Sequence, residues 1–425
     1  MASSEDKTTK ALSKIDALRG LAQLTAHIRS QAAQLPPRDS FPIEEMASAD
    51  GKEKRLEFLH AQTGHTFHHL SNLQLPSDLS FLEGNIENYI GMTMLPTGVI
   101  GPLRVTGTSA DGDYYIPLAT SEGALVASYH RGAKATRISG GITSVCLVEG
   151  VQRSPVFRFQ DVAGAVSFMA FMYSRREQMN EIVRAHSRHA VLDDIRANLE
   201  GNQLILTFEY HTGDAAGQNM VTICTDAICR TLVPEAPEQP LAWYIESNYS
   251  GDKKATALSF TTVRGKKVTA ECVLRREVVE KVLKTTPEAM ADYWQSSTIG
   301  VIQSGAIGAQ GHIANGLTAL FLATGQDAAC VAEAATGITR MQLTPSGDLY
   351  TSVTLPNLIV GTVGGGTGLP TQLECLKLMN CAGAGNARKF AEICGAVALS
   401  GEISIAAALS AGHFASAHQK LGRKK

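Results

Sequence analysis

The chain has 425 residues, more than one hydrophobic core usually serves, and 44% of them are apolar, so two or three domains are expected. Its 38 basic side chains are balanced by 40 acidic ones, which removes any electrostatic reason for nucleic acid or an anionic membrane as the main partner. The 8 cysteines include no CxxC pair, which excludes a zinc ribbon and a thioredoxin-type motif and suits reduced thiols in a cytoplasmic protein.

Residues 1–80 read as a helical N-terminal region, amphipathic, broken at Pro36-Pro37 and ending in a stretch with His60, His65, His68 and His69. The polar start MASSEDKTTK is unlike a secretory signal. His65, His68 and His69 stand at i, i+3 and i+4, so a helix would put all three on one face. That spacing supplies one enzyme reading, a metal-dependent hydrolase, although no companion carboxylate motif follows and no metal is expected.

From Gly84 to Gly150 the sequence is rich in glycine and small residues, as tight turns and close backbone approaches require. The character changes at about Ser154. Leu204, Leu206, Phe208 and Tyr210 alternate with Thr207 and Glu209, predicting a half-buried strand. After the turn at Gly213-Asp214, Met220, Ile223, Cys224, Ala227 and Ile228 fall on one helical face. Glycine- and alanine-rich sequence resumes beyond Lys254. The predicted organisation is therefore a small domain, 154–244, inserted into a larger one made of 81–153 and 245–425. The apolar run from Gly395 to Ala411, interrupted by Glu402, is too broken for a membrane span and predicts a buried helix.

Four stretches place an ionisable residue among small neighbours: Thr120-Ser121-Glu122-Gly123, Asp252-Lys253-Lys254, Gly325-Gln326-Asp327-Ala328, and Gly412-His413 through His418. Taken singly each has a plain reading: an acid in a helix's first turn, a solvated turn, a cap, and surface histidines near a chain end. His413 and His418 are five residues apart, about 140° around a helix, so at most one enters a site.

Taken in order, these stretches, together with Glu87-Asn88-Tyr89-Ile90-Gly91, Leu95-Pro96-Thr97-Gly98, Gly213-Asp214-Ala215-Ala216-Gly217-Gln218-Asn219-Met220 and Gly361-Thr362-Val363-Gly364-Gly365-Gly366-Thr367, resemble the hydroxymethylglutaryl-CoA reductases over roughly residues 84–420. The resemblance implies an α+β fold: a large α/β substrate-binding domain with an inserted small ferredoxin-like cofactor domain. It also implies four-electron reduction of (S)-3-hydroxy-3-methylglutaryl-CoA to mevalonate and CoA with two NADPH, by way of mevaldyl-CoA and mevaldehyde.

Carried onto this sequence, the pattern makes Lys253 the oxyanion stabiliser, Glu122 the proton donor, Asp327 the electrostatic partner and His418 the residue that protonates the CoA thiolate, on a C-terminal flap. A lysine suits developing negative charge on a carbonyl oxygen, and a histidine suits proton transfer near neutrality.

With no G-x-G-x-x-G present, the resemblance assigns the cofactor to Asp214, Ala215, Gly217, Asn219 and Met220 with Gly364 and Gly365. Ser187 and Arg188 match the place where the NADPH-dependent class I branch grips the 2′-phosphate. Arg153 matches the arginine that pairs with the substrate carboxylate, flanked by Asp252 and Lys254, with His312 and Asn315 near the coenzyme A and cofactor groups. Two departures stand out: Glu246-Ser247 replace the usual Ser-Gly, and Cys330-Val331 replace a polar pair. The resemblance further implies a homodimer or homotetramer with interface active sites, the 87–91 segment contributing, and no membrane anchor. A non-catalytic CoA-binding scaffold is the remaining alternative, and the competent residues at all four catalytic positions argue against it.

Overall fold

The computed structural model describes residues 5–29, 41–42, 49–72, 79–82 and 84–412; Pro36, Pro37, His413 and His418 lie outside the described residues. Among the described residues there are ten strands: β1 Thr97–Gly107, β2 Asp111–Ala119, β3 Ile142–Arg153, β4 Val156–Arg158, β5 Val191–Glu200, β6 Gln203–His211, β7 Ala242–Tyr244, β8 Gly265–Leu274, β9 Ile338–Leu343 and β10 Leu349–Leu358. The strand path runs β7-β4-β6-β3-β8-β10-β9, with β2 on β1, β1 on β3 and β5 on β6.

The long strand β3 serves two cores. Its residues 142–150 pair with β1 and β8, and its last three, 151–153, pair with β6. One core gathers buried side chains from 100–146 and 268–407, and the other gathers those from 151–236. Arg153 therefore ends the strand that joins them. In the smaller unit β4 is followed by helices Val162–Ser174 and Arg176–His186, then β5, β6, helix Gln218–Leu232 and β7. The strands lie in the antiparallel order β7-β4-β6-β5, the split βαβ arrangement of ferredoxin-like units.

Two local expectations are corrected. Strand β6 is buried on both faces at its far half, because Thr207 meets Ser154 Oγ at 2.9 Å and Glu209 meets Arg196 at 3.4 Å. In the following helix the buried face is Val221, Cys224, Thr225, Ile228, Cys229 and Leu232, while Ile223 is 56% exposed. The stripe is rotated because Tyr210 Oη and Thr225 Oγ1 hydrogen-bond at 2.7 Å, drawing a polar residue inward that apolar periodicity passes over.

Helix Ala387–Ser410 is the spine of the larger core and is buried almost throughout. By length and composition it would pass for a membrane span, but it lies inside the protein. Gly132 of helix Leu125–Ile138 crosses it so closely that a Cβ there would fall 1.9 Å from the Ser400 carbonyl oxygen. Its two buried acids are enclosed by donors rather than left bare. Glu392 accepts amides of Thr108, Ser109, Ala110 and Cys146 and so clamps the β1–β2 turn. Glu402 accepts the amides of Gly311 and His312, both at 2.7 Å, and Thr339 Oγ1, fixing the start of helix Ile313–Thr324.

The N-terminal helices Glu5–Arg19, Leu21–Arg29, Ala49–Thr63 and His68–Asn72 precede the sheet. His65 lies in the loop before His68–Asn72, where its Nε2 faces Asn380 Oδ1 at 3.1 Å, so the three histidines do not share a helical face. Among the described residues no group of His, Cys, Asp and Glu is placed to hold a metal ion. The hydrolase reading fails on that geometry.

Candidate active site

The loop between β7 and β8 bends through three left-handed non-Gly or Gly positions, Asn248 (φ 65°), Gly251 (φ 76°) and Lys253 (φ 57°). A lysine in that region is strained by about 1 kcal/mol or more and needs surrounding contacts to persist. One is its own amide, which donates to Glu333 Oε1 at 3.1 Å. The side chain is thereby turned to Asp327, Nζ to Oδ2 at 2.9 Å. Asp327 is delivered by helix Ile313–Thr324, which stops at Gly325 (φ 69°), and its Oδ1 accepts the Ala329 amide at 3.0 Å.

The hydrogen bond that Lys253 donates to Asp327, outweighing partial burial, raises the Lys253 pKa above its ordinary value. Burial pushes Asp327 upward, yet the lysine outweighs it and holds the carboxyl below its usual range. Both groups are charged at neutral pH. An ammonium held at an open loop, paired to one carboxylate, can still turn a proton toward a developing oxyanion.

Beneath this pair lies a buried ionic network. Arg264, 1% exposed, ion-pairs with Glu333, 0% exposed, and its other terminal nitrogen meets Asp252 Oδ1 at 2.8 Å. Gln218 links the layers: its amide nitrogen lies 3.4 Å from Asp327 Oδ2 and 3.0 Å from Cys330 Sγ, while its oxygen accepts from Arg264 at 3.4 Å. Asp252 continues to Arg153 Nη1 at 3.2 Å, and Arg153 Nη1 also donates to Glu246 Oε2 at 2.7 Å. Lys254 turns back on the Asp252 carbonyl at 2.9 Å.

Glu122 is bonded outside this cluster, to Asn315, whose side-chain amide donates to Oε1 at 3.4 Å. Glu122 precedes helix Leu125–Ile138, whose N-cap is Ala124 (φ 70°), so it is not in the first turn; Thr120 Oγ1 accepts its amide at 3.0 Å. Asn315 and Asp327 come from the two ends of one short helical segment, so Glu122 and Lys253 both border that element. His312 does not join them. Its Nε2 meets the Gly401 carbonyl at 2.9 Å and its ring lies against Tyr129, with centroids 5.1 Å apart.

The residues assigned to the cofactor form a second cluster. Ala215 bridges Val363, which lays the Gly364-Gly365 turn beside the N-terminus of helix Gln218–Leu232. Gly364 and Gly365 have φ of 76° and 55°, and a Cβ on either would meet nothing within 4 Å. The helix starts at Gly217 (φ 83°) with no side-chain cap, Asn219 is exposed and Met220 half-buried. Asp214 does not face this opening. Its carboxylate accepts the amides of Gly385 at 2.7 Å and Ala387 at 2.9 Å, capping helix Ala387–Ser410 from another element. Asp214→Ala is expected to destabilise the fold by about 2 kcal/mol, read as a lowered urea midpoint at unchanged slope.

Helix Arg176–His186 ends before Ser187, whose Oγ accepts the amides of His189 and Ala190 at 3.2 and 3.0 Å. Arg188 follows in the loop, exposed, with no hydrogen bond or ion pair among the described residues.

Arg264, Glu333 and Gln218 were not foreseen as site residues. Gln218 lay inside a recognised motif, Glu333 carried only the signal of a charged residue among apolar neighbours, and Arg264, beside Gly265-Lys266-Lys267, carried none.

Residues 51–423 match the family described as hydroxymethylglutaryl-coenzyme A reductase. The chain belongs to that family. Relatives under the name 3-hydroxy-3-methylglutaryl-coenzyme A reductase include one from Pyrococcus abyssi, 42% identical over 393 residues and covering 90% of this chain and 95% of that one. One from Methanothermobacter thermautotrophicus is 42% identical over 371 residues, 87% and 92% of the two chains. The Ganoderma lucidum protein is 39% identical over 343 residues, which is 78% of this chain but 28% of that longer one. In fold, the family member resembles the class II reductase of Streptococcus pneumoniae bound to NADPH in open conformations, with TM-score 0.68, 21% identity and coverage of 84% and 96%.

Proposed function

We propose that the chain reduces (S)-3-hydroxy-3-methylglutaryl-CoA to mevalonate and CoA at the expense of two NADPH. The observation that carries this is the Lys253–Asp327 contact, formed by two family motifs 74 positions apart and stacked on a buried ionic network. Lys253 faces the thioester carbonyl and stabilises charge on its oxygen, while Asp327 fixes the ammonium. Glu122, held by Asn315, supplies the proton to that oxygen. Arg153, flanked by Asp252 and Lys254, receives the acyl carboxylate, and His312 and Asn315 border the coenzyme A side. His418 protonates the departing thiolate.

The open Gly364-Gly365 turn against an uncapped helix N-terminus suits a pyrophosphate, since backbone amides and the helix dipole both favour an anion there. Bound there, the nicotinamide supplies the hydride. The unit spanning 154–244 is assigned to the cofactor, and 81–153 with 245–425 to the thioester. Exposed Arg188, unpaired among the described residues, supports the 2′-phosphate contact of the NADPH-dependent class I branch.

Assembly as a homodimer or homotetramer is supported by the 86–95 segment, where Ile86, Ile90, Met92, Met94 and Leu95 are all exposed, Ile90 fully. Eight unpaired, buried cysteines suit the reducing cytoplasm.

Following nicotinamide absorbance and thiol release with the thioester tests the reading. Two NADPH consumed per CoA thiol is the expected result. Folded protein that binds the thioester without oxidising NADPH would instead be a scaffold.

A further inference from the structure

Tyr129 is completely buried in helix Leu125–Ile138, and its ring fits a slot walled by two glycines of other helices. A Cβ at Gly316 would fall 2.3 Å from the ring, and so would one at Gly401, so neither position has room for a side chain while the tyrosine is there. The His312 ring covers the same tyrosine, with centroids 5.1 Å apart. A phenylalanine would fill this slot equally well. What it would lack is the hydroxyl, and that group has two specific partners.

Tyr129 Oη donates to the His312 carbonyl at 3.0 Å and accepts the Gly316 amide at 2.9 Å. These are the carbonyl and the amide that bound the first turn of helix Ile313–Thr324, a turn with no side-chain cap of its own. The Asn315 amide donates to the same His312 carbonyl at 3.0 Å. The hydroxyl therefore ties the backbone on both sides of Asn315.

Asn315 is the residue that reaches Glu122, its Nδ2 donating to Oε1 at 3.4 Å. Glu122 lies just before the helix that carries Tyr129, separated from it by the left-handed Ala124 (φ 70°). One side chain thus spans from the helix behind Glu122 to the turn that presents Asn315, and it locks the two partners of that long contact against each other. Without the hydroxyl, the Gly316 amide and the His312 carbonyl are left to close on each other, and the Asn315 side chain moves with them.

We infer that Tyr129 is a positioning residue for proton delivery: its hydroxyl fixes the Asn315 turn, and Asn315 aims the Glu122 carboxyl at the thioester carbonyl oxygen on which charge develops. This rests on the thioester-reductase reading above and adds to it a residue remote from the reacting atoms.

The test uses the full chain with hydroxymethylglutaryl-CoA and NADPH, in water and in deuterium oxide, for the parent, Tyr129→Phe, Asn315→Ala and the double variant. Tyr129→Phe should lower kcat about tenfold with KM for NADPH within about twofold, and its solvent isotope effect on kcat should exceed that of the parent as proton transfer becomes limiting. A smaller folded fraction would lower kcat but leave the isotope effect where it was. Because the hydroxyl acts through Asn315, the double variant should lie within about twofold of Asn315→Ala. A folded Tyr129→Phe with the parent's rate and isotope effect overturns the inference, and so do losses that multiply in the double variant. Should Tyr129→Phe not fold, Asn315→Ala decides: a rate within about twofold of the parent overturns the inference, and a tenfold loss with the larger isotope effect upholds it. A parent that oxidises NADPH while these comparisons fail sinks only this inference, whereas a parent that oxidises none sinks the functional reading as well.

Discussion

Lys253→Ala is expected to lower kcat by about 10³-fold, roughly 4 kcal/mol of transition-state stabilisation, with a much smaller change in KM. The magnitude follows from position. In the proposed site Lys253 Nζ lies 2.9 Å from Asp327, and a strained backbone turn holds it there. Lys253→Arg should not restore the rate, because a planar fork cannot replace a compact ammonium beside a single carboxylate. Steady-state kinetics with both substrates varied distinguishes this from a binding defect: equal losses in kcat and kcat/KM mark a contact made in the transition state. A variant that keeps more than about a tenth of the rate would remove Lys253 from the chemistry.

The pair also fixes an expectation for pH. Asp327 is held below its ordinary pKa, so its contribution is present above that value and is lost only as pH falls through the depressed one. Lys253 is raised above its ordinary pKa, so its contribution is present below the unfolded value and is lost only as pH rises through the elevated one. Between about pH 5 and 9 the pair stays intact, and any limb in the rate profile there belongs to another group.

Much of the site was legible because it is written in short runs. Lys253 and Asp327 sit in motifs whose small neighbours mark close backbone approach, and their meeting across the fold is what those motifs encode. The strand 204–210 and the long apolar helix were readable from periodicity alone. What periodicity could not supply was the polar half of the interior. Thr207 and Glu209 read as the polar face of the strand, and Thr225 falls off the predicted helical stripe, because their partners Ser154, Arg196 and Tyr210 lie on other elements. Glu402 read as an interruption, yet it orders the start of the helix that carries Asn315. Asp214 read as part of a ligand loop, yet its carboxylate caps a distant helix. In each case a buried acceptor is satisfied by donors far away in sequence, a relation that no local pattern records.

Arg264→Met is expected to produce the largest loss of stability, about 3–5 kcal/mol, since it strips the counterion from Glu333 and one arm from Asp252 at a site closed to water. Burial already pushes the Glu333 carboxyl above its ordinary value, with Arg264 pulling it back, so removing the arginine leaves that acid either charged and bare or forced to take up a proton. Trp294, packed against the larger core, reports the transition by fluorescence in a Trp243→Phe background. The double variant Arg264→Met with Glu333→Leu separates two explanations. If the penalty is an orphaned charge, the second change recovers most of the stability, because an apolar pair of similar volume replaces a buried ion pair at little loss. Activity should not recover with it. The Lys253 amide would then have lost its acceptor and Asp252 its second arginine, so the strained turn that presents Lys253 would be free to relax. Recovery of both stability and rate would mean that the network only fills space.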